Sequence, residues 1–268
     1  MKKVHFIIGL VLVSTLLSCS NDDTSGPDNS SNFSTPLTVG SYWTYDVEGQ
    51  AGITRDSLFI DSETTINSNS YKVFKTRDDI ATGFYSSALR NNSVRESDGK
   101  LLLTGDLAIS GSETLPFDLN LTLNDFVIFN KNATNNQVLN TSPINGTINE
   151  TINGYPLTIN YSLQSYGGET LSTFATNGIT YSNVKSTKLK LNISITTVIT
   201  VLGTPQTITA LTAQDVLVST QYLADGIGVV YTNTVTSYNL NSFIADELGI
   251  PASDSQTQEE FLDTYVIN

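Results

Sequence analysis

The chain has 268 residues, with 13 Lys and Arg against 26 Asp and Glu and a formal net charge of −13. That balance argues against nucleic acid as a partner, because affinity for phosphate backbones comes from Lys and Arg. The single His is His5 and the single Cys is Cys19, so residues 20–268 hold no material for Ser-His-Asp or Cys-His catalysis, for Cys/His zinc sites or for a disulfide.

Met1-Lys2-Lys3 is a basic start, and residues 4–17 are almost wholly apolar, broken by His5, Ser14 and Thr15. A transmembrane helix needs about 20 such residues; this run has the length and flanks of a signal-peptide core. Small Ser18 then suits a cleavage site, and residues 1–18 read as a leader whose removal makes the chain two units more negative.

Leu16-Leu17-Ser18-Cys19 resembles the lipobox of bacterial lipoproteins. The resemblance implies that the Cys19 thiol receives a diacylglyceryl group, that a peptidase cuts before it, and that the new N-terminus is acylated as well. Each buried methylene contributes about 0.8 kcal/mol and one chain binds marginally, so two or three palmitate-like chains on one residue give a stable anchor. The implied location is the outer membrane, on its periplasmic side or at the cell surface. The alternative is a plain secretory signal with an incidental Cys.

Residues 19–36 carry the lipidated Cys and a polar stretch rich in Ser, Asn, Asp and Pro, which reads as a flexible tether. Ser20-Asn21-Asp22-Asp23 resembles the acidic surface-export signal of Bacteroidota lipoproteins; a generic acidic linker reads equally well.

Residues 37–268 read as a single β-rich domain. Trp43, Tyr45 and Val47 share one face of a half-buried strand, and Trp43 reads as a core anchor before a sugar-stacking platform. Residues 53–61 and 71–77 continue as strands, and Asp98-Gly99 marks a two-residue hairpin turn. From Leu115 to Leu123 every odd position is apolar, with Pro116 suggesting a strand start or edge. Residues 130–136 read as a loop. Asn153-Gly154 and Asp225-Gly226 read as hairpin turns, Asn177-Gly178 and Gly203-Thr204-Pro205 as further breaks, and residues 188–195 alternate again. No ten-residue window before Asn239 has helical periodicity.

At the C-terminus, Ser242 is placed to cap a helix over residues 243–248 that Gly249 ends. Thr257-Gln258-Glu259-Glu260 has the spacing of a capping box. Residues 242–268 hold six acids and no Lys or Arg, and read as a solvated tail packed by Phe243, Ile244, Phe261 and Leu262. The expected class is all-β: a large curved antiparallel sheet or partly open β-barrel with one or two short C-terminal helices. Residues 37–45 and 222–230 resemble segments of exported Bacteroidota lipoproteins of undefined function. That resemblance implies the same curved sheet and an anchor, and no activity.

Ser182-Asn183-Val184-Lys185 matches Ser-x-x-Lys of penicillin-binding proteins, but its strand-like flanks put positions three apart on opposite faces, and the companion motifs are absent. Asp78-Asp79, Glu259-Glu260, Asp56, Asp61, Asp118 and Asp215 are the candidates for paired carboxylate chemistry. Calcium is the plausible metal, yet no Asp-x-Asp-x-Asp-Gly loop occurs, so no metal and no cofactor is expected. Asp56-Ser57-Leu58 resembles a short Bacteroidota O-glycosylation sequon. The expectation is a non-enzymatic protein, attached to a membrane through Cys19, binding a lipid, a glycan or a protein partner and no nucleic acid. The alternatives are a structural or adhesion component and a carboxylate-dependent glycan hydrolase.

Overall fold

Alternation of period two is realised almost throughout. The computed structural model describes residues 33–50, 52–109, 118–201 and 203–268. In chain order it contains β1 (Tyr42–Gly49), β2 (Gly52–Ile66), β3 (Asn69–Thr76), a 3-10 turn (Arg77–Asp79), α1 (Phe84–Leu89), β4 (Ser93–Ser97) and β5 (Lys100–Ile109). Then come β6 (Leu119–Asn130), β7 (Ile144–Ile152), β8 (Tyr155–Thr176), β9 (Ile179–Val201), β10 (Thr204–Ala224), β11 (Gly228–Asn239), α2 (Ser242–Leu248) and β12 (Ser253–Val266). Cys19, the Leu16-Leu17-Ser18 motif, most of the tether, and Leu115, Pro116 and Phe117 lie outside the described residues.

The twelve strands form one antiparallel sheet in the order β6-β5-β4-β3-β2-β1-β12-β11-β10-β9-β8-β7, curled into a nearly closed barrel. Neighbours are consecutive in sequence except β1 and β12, which pair side by side. Leu119, Leu121 and Leu123 of β6 are buried while Asn120, Thr122 and Asn124 are exposed; the same split fills the interior with Leu58, Ile159, Leu191 and Ile193. Asp98-Gly99, Asn153-Gly154 and Asn177-Gly178 take positive φ at both positions, as two-residue type I′ turns require. Asn67-Ser68 makes the same turn without a glycine. Asp225-Gly226 falls in a three-residue connection, with Ala224 facing Gly228.

The barrel closes where β6 reaches β8 and β9. The Val127 N–H donates to Asn140 Oδ1 (2.8 Å), and Asn140 Nδ2 donates back to the Val127 carbonyl (3.0 Å). This one side-chain amide therefore does for Val127 what a neighbouring peptide group would. Thr187 Oγ1 donates to the Ile128 carbonyl at 2.8 Å.

Three expectations need correction. First, Thr257–Glu260 starts no helix: it lies in β12, between β1 and β11, with Glu260 and Leu262 buried and no solvated tail in the pattern. The acids that make this segment look wet divide between the faces of the strand: Glu259 points outward and Glu260 inward. Phe243, expected to pack, is 52% exposed, whereas Ile244 is buried. Second, the short helices are not all C-terminal: the six-residue α1 precedes Asn239, too short to give a ten-residue window any helical periodicity. Third, packing reaches back past Leu37: Phe33 is 3% exposed and its ring lies 5.6 Å from that of Phe129. Helix α2 forms as expected and Gly249 takes the left-handed C-cap (φ 66°), but the cap at its start is Asn241, whose side chain accepts from the Phe243 and Ile244 N–H groups.

Candidate functional site

Helix α1 sits on the concave side of the sheet. Phe84, Tyr85, Ala88 and Leu89 face inward residues of β5, β6, β9, β10 and β11 around a cavity of about 70 Å³. A second cavity of about 40 Å³ lies against Trp43, Phe74, Tyr85 and Leu89.

The first N–H groups of a helix have no partner within it, and Gly83, at the N-cap, has no side chain to supply one. Strands β2 and β12 supply them instead. Asp56 accepts from the Thr82 N–H (3.0 Å), Thr82 Oγ1 (2.9 Å) and the Gly83 N–H (2.8 Å). Gln258 Oε1 accepts from the Phe84 N–H at 2.7 Å. Glu260 accepts from the Tyr85 N–H (2.6 Å), the Ser86 N–H (3.3 Å) and Ser86 Oγ (3.0 Å). Both carboxylates are 1% exposed. A Cβ on Gly83 would stand 2.1 Å from Glu260 Oε2, so glycine is what lets the chain pass.

Burial pushes the Glu260 carboxyl up to about 7, against the pull of its amide donors and with a further push from Asp56. Burial also holds the Tyr45 and Tyr85 hydroxyls well above the ordinary phenol range; Tyr45 donates to the Val229 carbonyl (2.9 Å) and meets Tyr85 edge to face at 5.8 Å.

The sequence singles out Asp56 and Glu260 but not their meeting at α1. Glu259 points to the opposite face of β12 and accepts from the Tyr231 hydroxyl. Asp78 and Asp79 sit in the 3-10 turn, both with φ 56°, and Asp79 accepts from Asn91 Nδ2. Asp61 pairs with Lys75 (2.9 Å), and Asp215 with Lys190 (2.8 Å); Asp118 stands exposed before β6. Ser182 and Lys185 lie on β9, and Lys185 Nζ stands 5.9 Å from the Phe33 ring centre. Trp43 is a core residue, donating Nε1–H to the Ile227 carbonyl (2.6 Å) and stacking on Phe74. Among the described residues no group of three or more His, Cys, Asp or Glu could hold a metal ion.

The outer wall carries a feature that periodicity does not reveal. Tyr42, Thr44, Ser57, Arg77 and Asp78 line two adjoining open grooves of about 440 and 490 Å³. Arg55 borders one of them, held by Asp46 (2.9 Å) and by Asp263, and its pKa is raised chiefly by the bond to Asp263. Ser57 faces this groove, while the neighbouring Asp56 points inward to α1. Tyr42 is 40% exposed.

No family model and no curated protein matches the chain. Among solved structures it is similar to the crystal structure of a protein from Parabacteroides distasonis described as a "putative lipoprotein", at 13% identity, over 87% of this chain and 98% of that one, with a TM-score of 0.40.

Proposed function

We propose that this is an exported β protein anchored through Cys19 to the outer membrane, without enzymatic activity, which meets a glycan or protein partner on its outer wall. The Leu16-Leu17-Ser18-Cys19 motif supports the anchor. The observation that carries the rest is the filling of the barrel by α1. Ligand sites usually span about 300–1,000 Å³, and cavities of about 70 and 40 Å³ have room for neither a lipid chain nor a sugar. The buried carboxylates Asp56 and Glu260 are committed to backbone donors and lie away from solvent, which argues against the glycan hydrolase. The grooves around Tyr42 and Arg77 are of ligand size and offer an aromatic face beside hydroxyls and a guanidinium, a combination suited to a sugar or a peptide. A purely structural or adhesive role uses the same wall.

Two measurements test this. Cys19→Ala is expected to move the protein from the membrane fraction to the soluble one and to abolish acylation, read by fractionation and intact mass. A variant that stays membrane-bound with unchanged mass overturns the anchor. Tyr42→Ala with Arg77→Ala is expected to weaken capture of a native partner from cell envelopes about tenfold or more, the loss of one aromatic and one guanidinium anchor. Unchanged capture with unchanged circular dichroism removes the outer groove from the proposal.

A further inference from the structure

At the free edge of the sheet lies β7. Its nine residues pair with β8 in unbroken register, from Ile144 opposite Leu163 to Ile152 opposite Tyr155, and it has no strand on its other side among the described residues. Natural sheets usually protect such an edge with Lys, Pro or a bulge. This strand, Ile-Asn-Gly-Thr-Ile-Asn-Glu-Thr-Ile, has no Lys, Pro or bulge, and Glu150 is its one charged side chain.

The tight turn at Asn153-Gly154 fixes which groups are free. A two-residue turn makes Ile152 and Tyr155 a hydrogen-bonded pair. Alternation then directs the backbone of Ile152, Glu150, Ile148, Gly146 and Ile144 toward β8. The N–H and C=O groups of Asn145, Thr147, Asn149 and Thr151 point to the open edge.

We infer that this edge pairs with a second copy of itself, antiparallel, about a two-fold axis through Ile148. In that register Thr147 faces the partner's Asn149 and Asn145 faces the partner's Thr151, each pair exchanging two backbone hydrogen bonds with the groups left free. On the other face, Ile148 meets the partner's Ile148 and Ile144 meets the partner's Ile152. All three isoleucines are half-buried in one copy and already pack against the core, so pairing covers more of each. The strand's one charge, Glu150, falls opposite the partner's Gly146. An axis through Asn149 instead sets Ile148 against Glu150, and one through Thr147 sets Ile144 against Glu150. The central register therefore matches apolar with apolar and opposes no like charges. Copies held on one membrane surface are concentrated, which favours so small a contact.

The test uses the whole chain purified from membranes, with the wild type as the control for Cys19. Residues across a non-hydrogen-bonded antiparallel pair lie about 4.5 Å apart at Cα, within disulfide reach. Ile148→Cys is expected to give about tenfold more oxidised dimer than Asn145→Cys, whose opposite residue is not itself. Thr147→Pro, which deletes an edge-facing N–H at a position where proline is tolerated, is expected to leave circular dichroism unchanged and abolish concentration-dependent dimerisation in sedimentation velocity. Monomer at every concentration in the wild type, equal cross-linking at positions 145 and 148, or a dimer that survives Thr147→Pro would each overturn the assignment.

Discussion

Glu260→Ala is expected to destabilise the fold by about 3–5 kcal/mol, because it strands three donors at once, each unmet buried donor costing about 1–3 kcal/mol. The Tyr85 N–H, the Ser86 N–H and Ser86 Oγ all donate to this carboxylate, inside a barrel where water has little room to replace it. The same side chain makes stability depend on pH. Burial pushes its carboxyl up to about 7 in the fold from the ordinary glutamate range near 4.5, so between those limits the native state holds a proton that the unfolded chain has lost. This contribution is therefore fully present below about pH 4.5 and is lost as pH rises through about 7, by on the order of 3 kcal/mol for this shift. The aspartates and glutamates whose acidity is strengthened, Asp125, Asp215, Asp61 and Glu63, titrate below this window. The described residues contain no His to confuse it. Urea midpoints at pH 5 and pH 8 are expected to differ in the wild type and to converge in Glu260→Gln, which imitates the protonated acid. Parallel profiles for the two proteins would show that Glu260 is not the titrating group.

How much of this was readable without coordinates differs between levels. Strands with one wet and one dry face announce themselves, as at Leu119, Leu121 and Leu123 or Trp43, Tyr45 and Val47, because residues two apart share a face. Turns announce themselves where a glycine takes the left-handed position, as after Asp98, Asn153 and Asn177. Asn67-Ser68 does the same work without one and leaves no such signal. Glu260 misled for a physical reason: a buried carboxylate answers donors on α1, some 175 residues away in sequence, and spacing along the chain records only local partners. The segment Thr257–Glu260 satisfies a local helix rule, but pairing with β1 and β11 on both sides outweighs the contribution of a cap. Helix α1 itself has neither a self-supplied cap nor enough turns for a periodic stripe; its ends are held by strands, so its existence is a tertiary fact. The grooves at Tyr42 likewise arise because Arg77 and Asp78 come against β1 and β2, and Tyr42 read alone is an ordinary outward strand residue.

The far end of α1 predicts the second large effect, at Gly105. Asn92, 4% exposed, follows the helix and clamps it to β5: its Nδ2 donates to the Ala88 and Asp106 carbonyls, both at 2.8 Å, and its Oδ1 accepts from the Asp106 N–H at 2.9 Å. This amide lies against Gly105, which has φ +143° and would place a Cβ 1.9 Å from Asn92 Oδ1. Gly105→Ala therefore forces a backbone angle that side chains rarely adopt, costing about 1–3 kcal/mol, and drives Asn92 from its three bonds as well. The expected loss is about 4 kcal/mol or more once orphaned groups are counted. Asn92→Ala alone removes the bonds without the clash and is expected to cost about 2 kcal/mol. In the double variant the space vacated by Asn92 receives the new methyl group, so the two losses should sum to less than their separate values by roughly 1–2 kcal/mol, as contacting residues do. Denaturation of the three variants measures that shortfall. Strict additivity would mean that Asn92 does not stand where the alanine must go, and that the clamp between α1 and β5 is not what Gly105 protects.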